Sequence, residues 1–176
     1  VTAAAVCLDP GQVPEGVRDS KRLAPARRRA VATALHDCAD VGIGHASVAE
    51  IERLNILGAA HLAMTRALAA LSVPPDFALI DGRAAPPGLT LPHRCIVRGD
   101  ATSLSIAAAS IVAKVARDAI MADLARAYPG YGWDTNAGYP TQVHRTALRR
   151  LGATPHHRRN FRPVHNILYP EAEISP

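Results

Sequence analysis

Short apolar runs alternate along this chain with longer segments whose apolar residues recur every three to four positions. The opening run VTAAAVCL (1–8) predicts a buried strand, and DPGQVPEG (9–16) supplies the turn that follows. Pro25 suits a first helical turn, and the segment after it puts Val31, Ala34, Leu35 and Cys38 at helical spacing, which predicts a surface helix. VGIGHASV (41–48) reads as a strand whose two glycines are too few for a nucleotide loop and are assigned to packing. In residues 50–73, Leu54, Leu57, Ala60, Leu62, Met64 and Leu68 fall as they would on one helix, stopped by Pro74 and Pro75. FALIDG (77–82) and HRCIVRGD (93–100) are short strands, and residues 102–128 form the longest helix, capped by Thr102 or Ser103. Its alanine-rich start suits close packing on a sheet. From Pro129 the pattern changes to GYGWDTNAGYPT (130–141), a short helix at 142–152 and a polar tail at 153–176. Helix-length runs between strands predict an α/β fold with helices covering a central sheet. Without repeats, residues 1–176 read as a single domain, with about 129–176 as its C-terminal extension.

Composition narrows this only slightly. A chain of 176 residues, 48% hydrophobic and 20% charged, with mean hydropathy +0.03, is long enough for one sizeable core. No uncharged apolar run approaches the length of a membrane span and the first residues lack a signal-peptide pattern, so the expected address is the cytoplasm. Cys7, Cys38 and Cys95 lie far apart and form no C-x-x-C pair, so they are expected to be buried, reduced thiols. A net charge of +5 and a pI of about 9.6 fit a polyanionic partner. Only Lys21 and Lys114 are lysines among the 20 basic residues, which reflects compositional bias more than function.

Two acids then stand out. Asp81 ends FALI and Asp100 follows CIVRG, and functional groups of an open α/β sheet gather where strands end. Together the two could contribute oxygen ligands to a cation such as Mg²⁺. Equally, Asp81-Gly82 is an ordinary turn dipeptide, and Asp100 could cap the long helix. Lys114 and Asp118 are spaced as a solvated ion pair. His156 and His157, with no cysteine beside them, are expected at the surface or facing phosphate. Tyr131, Trp133 and Tyr139 could stack on bases or cover a loop's own core. Ser110 lies inside a helix with no nucleophile elbow and is not a catalytic serine.

Five blocks in order, DSKRL (19–23), IDG (80–82), GDATSLSIAAASIVAKVARD (99–118), GYPT (138–141) and HRRNF (157–161), resemble bacterial ribonuclease HII, a type 2 ribonuclease H. The resemblance implies a ribonuclease H-like fold, with a central mixed sheet flanked by helices and a small helical C-terminal region. It implies a cytoplasmic, monomeric endoribonuclease of ribonucleotide excision repair, with no membrane partner. Such an enzyme uses Mg²⁺ or Mn²⁺ to cut on the 5′ side of ribonucleotides in RNA/DNA hybrids or embedded in duplex DNA. The family's metal site has four carboxylates, of which Asp81 and Asp100 match two. Tyr139 matches the tyrosine that packs under the sugar at the RNA-to-DNA junction. Ser20, Lys21, His144 and Arg158 are implied as further substrate contacts, Lys21 near a phosphate and Arg158 on the duplex backbone. The family's N-terminal acidic pair and its glycine-arginine-glycine segment have no match in residues 1–176. Either they belong to a stretch outside this sequence, the favoured expectation, or this is a duplex-binding form with impaired cleavage. GYPT also carries Pro140 where a glycine is usual, with a small expected effect on Tyr139.

Overall fold

The computed structural model describes residues 1–17 and 23–169. Strands β1 (Thr2–Cys7) and β2 (Asp40–His45) pair antiparallel, from Thr2 opposite His45 to Cys7 opposite Asp40. Strands β3 (Ala78–Asp81) and β4 (His93–Ile96) pair parallel, with Asp81 opposite Ile96. Helices α1 (Pro25–Cys38) and α2 (Val48–Ala69) flank β2 in sequence. After β4 come α3 (Gly99–Thr102), α4 (Leu104–Ala127), α5 (Trp133–Asn136), α6 (Gln142–Leu151) and α7 (Arg162–Leu168). The mixed strand directions, flanking helices and helical C-terminal region match the expected class. Among the described residues the ladder comes as two pairs, and a cavity of about 570 Å³ lies between β1 and β3, closed on one side by Ile106, Ala109 and Ala113 of α4.

The main core forms where α1 and α4 meet. Val31, Ala32 and Leu35 of α1 pack on Ala107, Ala108, Ile111 and Val112 of α4, with Val6, Val41 and Ile43 of the strands against them. Small residues at the start of α4 allow this close approach. Full burial of side chains such as Leu35 and Ile111 contributes about 1.5–3 kcal/mol each. The cap of α4 is Ser103, whose hydroxyl accepts from the amide of Ile106, so Asp100 is not needed as the cap of this helix.

Helix α2 differs from the simple pattern read in the sequence. It opens with a capping box in which the Ser47 hydroxyl accepts from the Glu50 amide, and the Glu50 carboxylate accepts from the Ser47 amide at 2.8 Å. Glu50 also receives Arg66 in a two-pronged ion pair at 2.7 and 2.9 Å, which holds its carboxyl down at about 2. At Asn55 the backbone turns left-handed (φ 61°), and its side-chain oxygen accepts from the amides of Leu57 and Gly58, starting a second helical run. The buried face is then Ile51, Ala59, Ala63 and Ala67, whereas Leu57 is 61% exposed. The reason lies in β2. A methyl group at Gly42 or Gly44 would lie 2.1 Å from the carbonyl oxygen of Ala67 or Ala63, so backbone meets backbone and only alanines fit between.

A second core gathers Tyr131, Trp133, Ala147, Leu148 and Val164, with Met121 and Leu124 of α4 beneath it. Part of the segment read as a polar tail is thus helical, with Pro163 in the first turn of α7 and Val164 buried. The cysteines also depart from expectation: all three are free, but Cys7 is exposed and Cys38 and Cys95 are only partly covered. At these positions β1 and β4 have an open face. Among the described residues, no helix is long and apolar enough to cross a membrane.

Candidate active site

Strand β3 buries Ala78 and Ile80 and turns Leu79 and Asp81 outward, as a half-buried strand must. Gly82 follows with φ +120°, a conformation that lets the chain leave at once and strands Asp81 at the tip. Strand β4 leaves through Arg98, left-handed at φ 56°, into a buried Gly99. The Gly99 amide donates to Oδ1 of Asp81 at 2.8 Å, and Asp100 stands in the first turn of α3 immediately after. Asp81 therefore sits at the tip of β3 and Asp100 in the short helix just beyond β4, with the amide of the intervening Gly99 tied to the Asp81 side chain. Ile106 fills the space where Gly99 would carry a Cβ, fixing this junction against α4.

Such oxygen donors fit a hard divalent cation, which takes a few carboxylates and completes its shell with water and phosphate. The hydrogen bond at Oδ1 orients the Asp81 carboxylate, and its other oxygen has no hydrogen bond among the described residues. Asp81 and Asp100 would supply part of such a site. No group of three or more histidine, cysteine or acidic side chains with metal-holding geometry occurs among the described residues.

A second cavity, of about 830 Å³, lies between the start of α2, the outer half of α4 and the C-terminal helices. Thr2 borders both cavities, and α4 lines the first with Ile106, Ala109 and Ala113 and the second with Arg117, Ile120 and Leu124. One face of one helix joins them. Gly138 and Pro140 line the second cavity, and Tyr139 between them is 62% exposed. The aromatic trio divides by role. Tyr131 and Trp133 stack at 5.0 Å in the core, while Tyr139 remains at the surface.

Behind Tyr139 stands a chain of imidazoles. The Tyr139 carbonyl is 2.9 Å from Nδ1 of His144, which must donate to it. The single lone pair of His144 Nε2 is then shared between Trp133 Nε1–H at 3.2 Å and His157 Nε2–H at 3.1 Å. Nδ1 of His157 in turn accepts from the Thr154 amide at 3.0 Å. Both rings are neutral in this arrangement. Burial, reinforced by His144, pushes His157 down to about 4. His157 is therefore not a surface group, and His144, only 7% exposed, reaches the Tyr139 carbonyl from within while lining the second cavity. Periodicity gave no hint of this pairing, because its members come from three separate segments.

Arg158 lies on the groove with its guanidinium 4.5 Å above the Phe161 ring. Burial and then the nearby Arg117 push its pKa below the ordinary arginine value. Arg117, which sequence reasoning passed over, donates to the Ala137 carbonyl at 2.8 Å and lies 5.8 Å from the Tyr139 ring centre. Lys114 and Asp118 form the expected ion pair at 2.6 Å, away from these roles. Ser20 and Lys21 lie outside the described residues.

Residues 1–164 match the family model described as Ribonuclease HII. A protein of Cereibacter sphaeroides named ribonuclease HII is 66% identical over all of this chain and 83% of its own length. The solved ribonuclease H2 of Pyrococcus horikoshii superposes with a TM-score of 0.72 at 22% identity, covering 95% of this chain and 97% of that one. A Bst ribonuclease HIII crystallised with Mn²⁺ superposes at 0.71 and 18% identity over 95% of this chain and 63% of its own.

Proposed function

The chain belongs to the ribonuclease HII family, a premise from which we propose that it cuts the phosphodiester on the 5′ side of ribonucleotides, within RNA/DNA hybrids or embedded in duplex DNA. At the coarser level it is a type 2 ribonuclease H, a hydrolase acting on the RNA of RNA/DNA hybrids. The observation that carries the finer reading is an acid at the tip of β3 and another in the helix that follows β4, with Asp81 oriented by the Gly99 amide between them. Asp81 and Asp100 would hold Mg²⁺ or Mn²⁺. A bound cation of this kind supplies charge stabilisation to the transferring phosphate and lowers the pKa of its water. The chain's own part is to orient the Asp81 carboxylate through Gly99, keep Asp100 beside it, and seat the substrate.

Tyr139, exposed at the groove, would pack on the sugar at the RNA-to-DNA junction, where a 2′-hydroxyl distinguishes the two nucleic acids. Arg158 would hold a backbone phosphate, and Ser20 and Lys21 are proposed as further phosphate contacts. Residues 129–176 then serve as the substrate-binding extension. A monomeric enzyme in the cytoplasm, active in ribonucleotide excision repair, is the setting this reading favours.

The test is cleavage of a DNA duplex carrying one ribonucleotide, with Mg²⁺ or Mn²⁺, by the parent and by Asp81→Asn. Cutting on the 5′ side by the parent, reduced at least about a hundredfold in the variant, is expected from the loss of several kcal/mol of charge stabilisation. Equal rates would remove Asp81 from the site. Duplex binding without cutting by the parent would select a second reading, a duplex-binding form with impaired cleavage.

A further inference from the structure

Arg117 has more donors than its surroundings use. Its Nη2 is spent on the Ala137 carbonyl, yet Nη1 is shielded from solvent and has no hydrogen-bond partner. A buried cationic donor left unpaired is costly and calls for an explanation. Four further facts bear on it. Arg117 lines the same groove as Arg158, another partly covered guanidinium. Among the described residues neither arginine is paired with a carboxylate, and the groove's one nearby acid, Glu50, is committed to Arg66 and Ser47. The two arginines repel, which adds to burial, the larger cause, in lowering the Arg158 pKa. The Arg117 guanidinium also lies within cation–π range of the exposed Tyr139 ring.

Two unneutralised guanidiniums converging on a groove that borders an exposed tyrosine form a place for an anion. We propose that Arg117 binds a backbone phosphate next to the sugar seated on Tyr139, swinging its free Nη1 out of its covered position to the phosphate while Nη2 holds the Tyr139 loop. Arg117 is thus a substrate-binding and positioning residue, one that ties the placing of the phosphate to the aim of Tyr139. The planar fork of arginine suits both tasks at once, which a lysine cannot do. This inference rests on the reading of Tyr139 as the residue under the junction sugar.

The experiment measures binding of a DNA duplex with one embedded ribonucleotide, by fluorescence anisotropy in Ca²⁺ to suppress cutting, from 50 to 300 mM salt. Arg117→Gln keeps a donor for Ala137 and removes the charge, Arg117→Lys keeps the charge and removes the fork, and Arg126→Ala controls for one lost positive charge elsewhere. The expected result is at least about tenfold weaker binding by Arg117→Gln at low salt, with its log K against log salt slope smaller by about 0.9. Arg117→Lys should keep the slope but lose preference for the ribonucleotide over all-DNA duplex. Arg126→Ala should behave as the parent. Parent-like affinity and slope in Arg117→Gln would overturn the inference, as would weaker binding at an unchanged slope with a lowered Tm, which is the mark of a merely structural arginine. A parent that binds no duplex at all would overturn the nucleic-acid reading itself, a result distinct from either.

Discussion

His144 and His157 illustrate how a single proton can matter at the residue scale. Their contact at 3.1 Å works only while one ring donates and the other accepts, and His144 must also keep its Nδ1 proton for the Tyr139 carbonyl. The folded-state pKa of His157 is about 4, below the ordinary 6.5, owing first to burial and then to His144, with His156 adding to it and the Thr154 amide opposing it. Between those values the unfolded chain takes up a proton that the native ring refuses. Stability should therefore be level above about pH 6.5 and decline as pH falls toward 4. Thermal melts from pH 7.5 to 4 would show this, and the emission of Trp133, the chain's single tryptophan and a direct neighbour, should change in the same window. A His157→Gln variant should lose most of that pH dependence.

At the scale of elements, the junction of β2 with α2 brings backbone against backbone. Because the carbonyl of Ala63 lies where a Cβ of Gly44 would stand, Gly44→Ala must push α2 off the strand. We expect a loss of about 3 kcal/mol in urea unfolding, while Gly11→Ala, in an open turn, should change little. This contact also explains where sequence patterns sufficed. The strands ending at Cys7 and Asp81 and the long helix after Ser103 were legible, because apolar run length and cap residues act locally. The buried face of α2 was not, since it is chosen by two glycines on a different strand and by the left-handed turn at Asn55. In the same way Asp81 announced itself as an acid closing an apolar run. Arg117 did not, because what sets it apart is the carbonyl of Ala137 and the ring of Tyr139, twenty or more residues away.

At the scale of the whole molecule, the net charge of +5 takes on direction. Arg117, Arg145 and Arg158 face one groove without a carboxylate partner among the described residues, whereas Arg66, on the same groove, is neutralised by Glu50. If each of these three arginines meets a backbone phosphate, their share of duplex affinity should fall on the order of 40-fold between 50 and 200 mM salt. A titration over that range tests it, and an affinity indifferent to salt would place the duplex elsewhere. The face of α4 that borders both cavities has a further meaning. Ile106, packed at the Asp81 junction, and Arg117, beside Tyr139, are eleven residues apart, close to three full turns and about 17 Å along the axis. The helix thus fixes the spacing between these two places, close to the length of about five base-pair steps at 3.4 Å each, so a duplex lying along α4 would meet them a set distance apart.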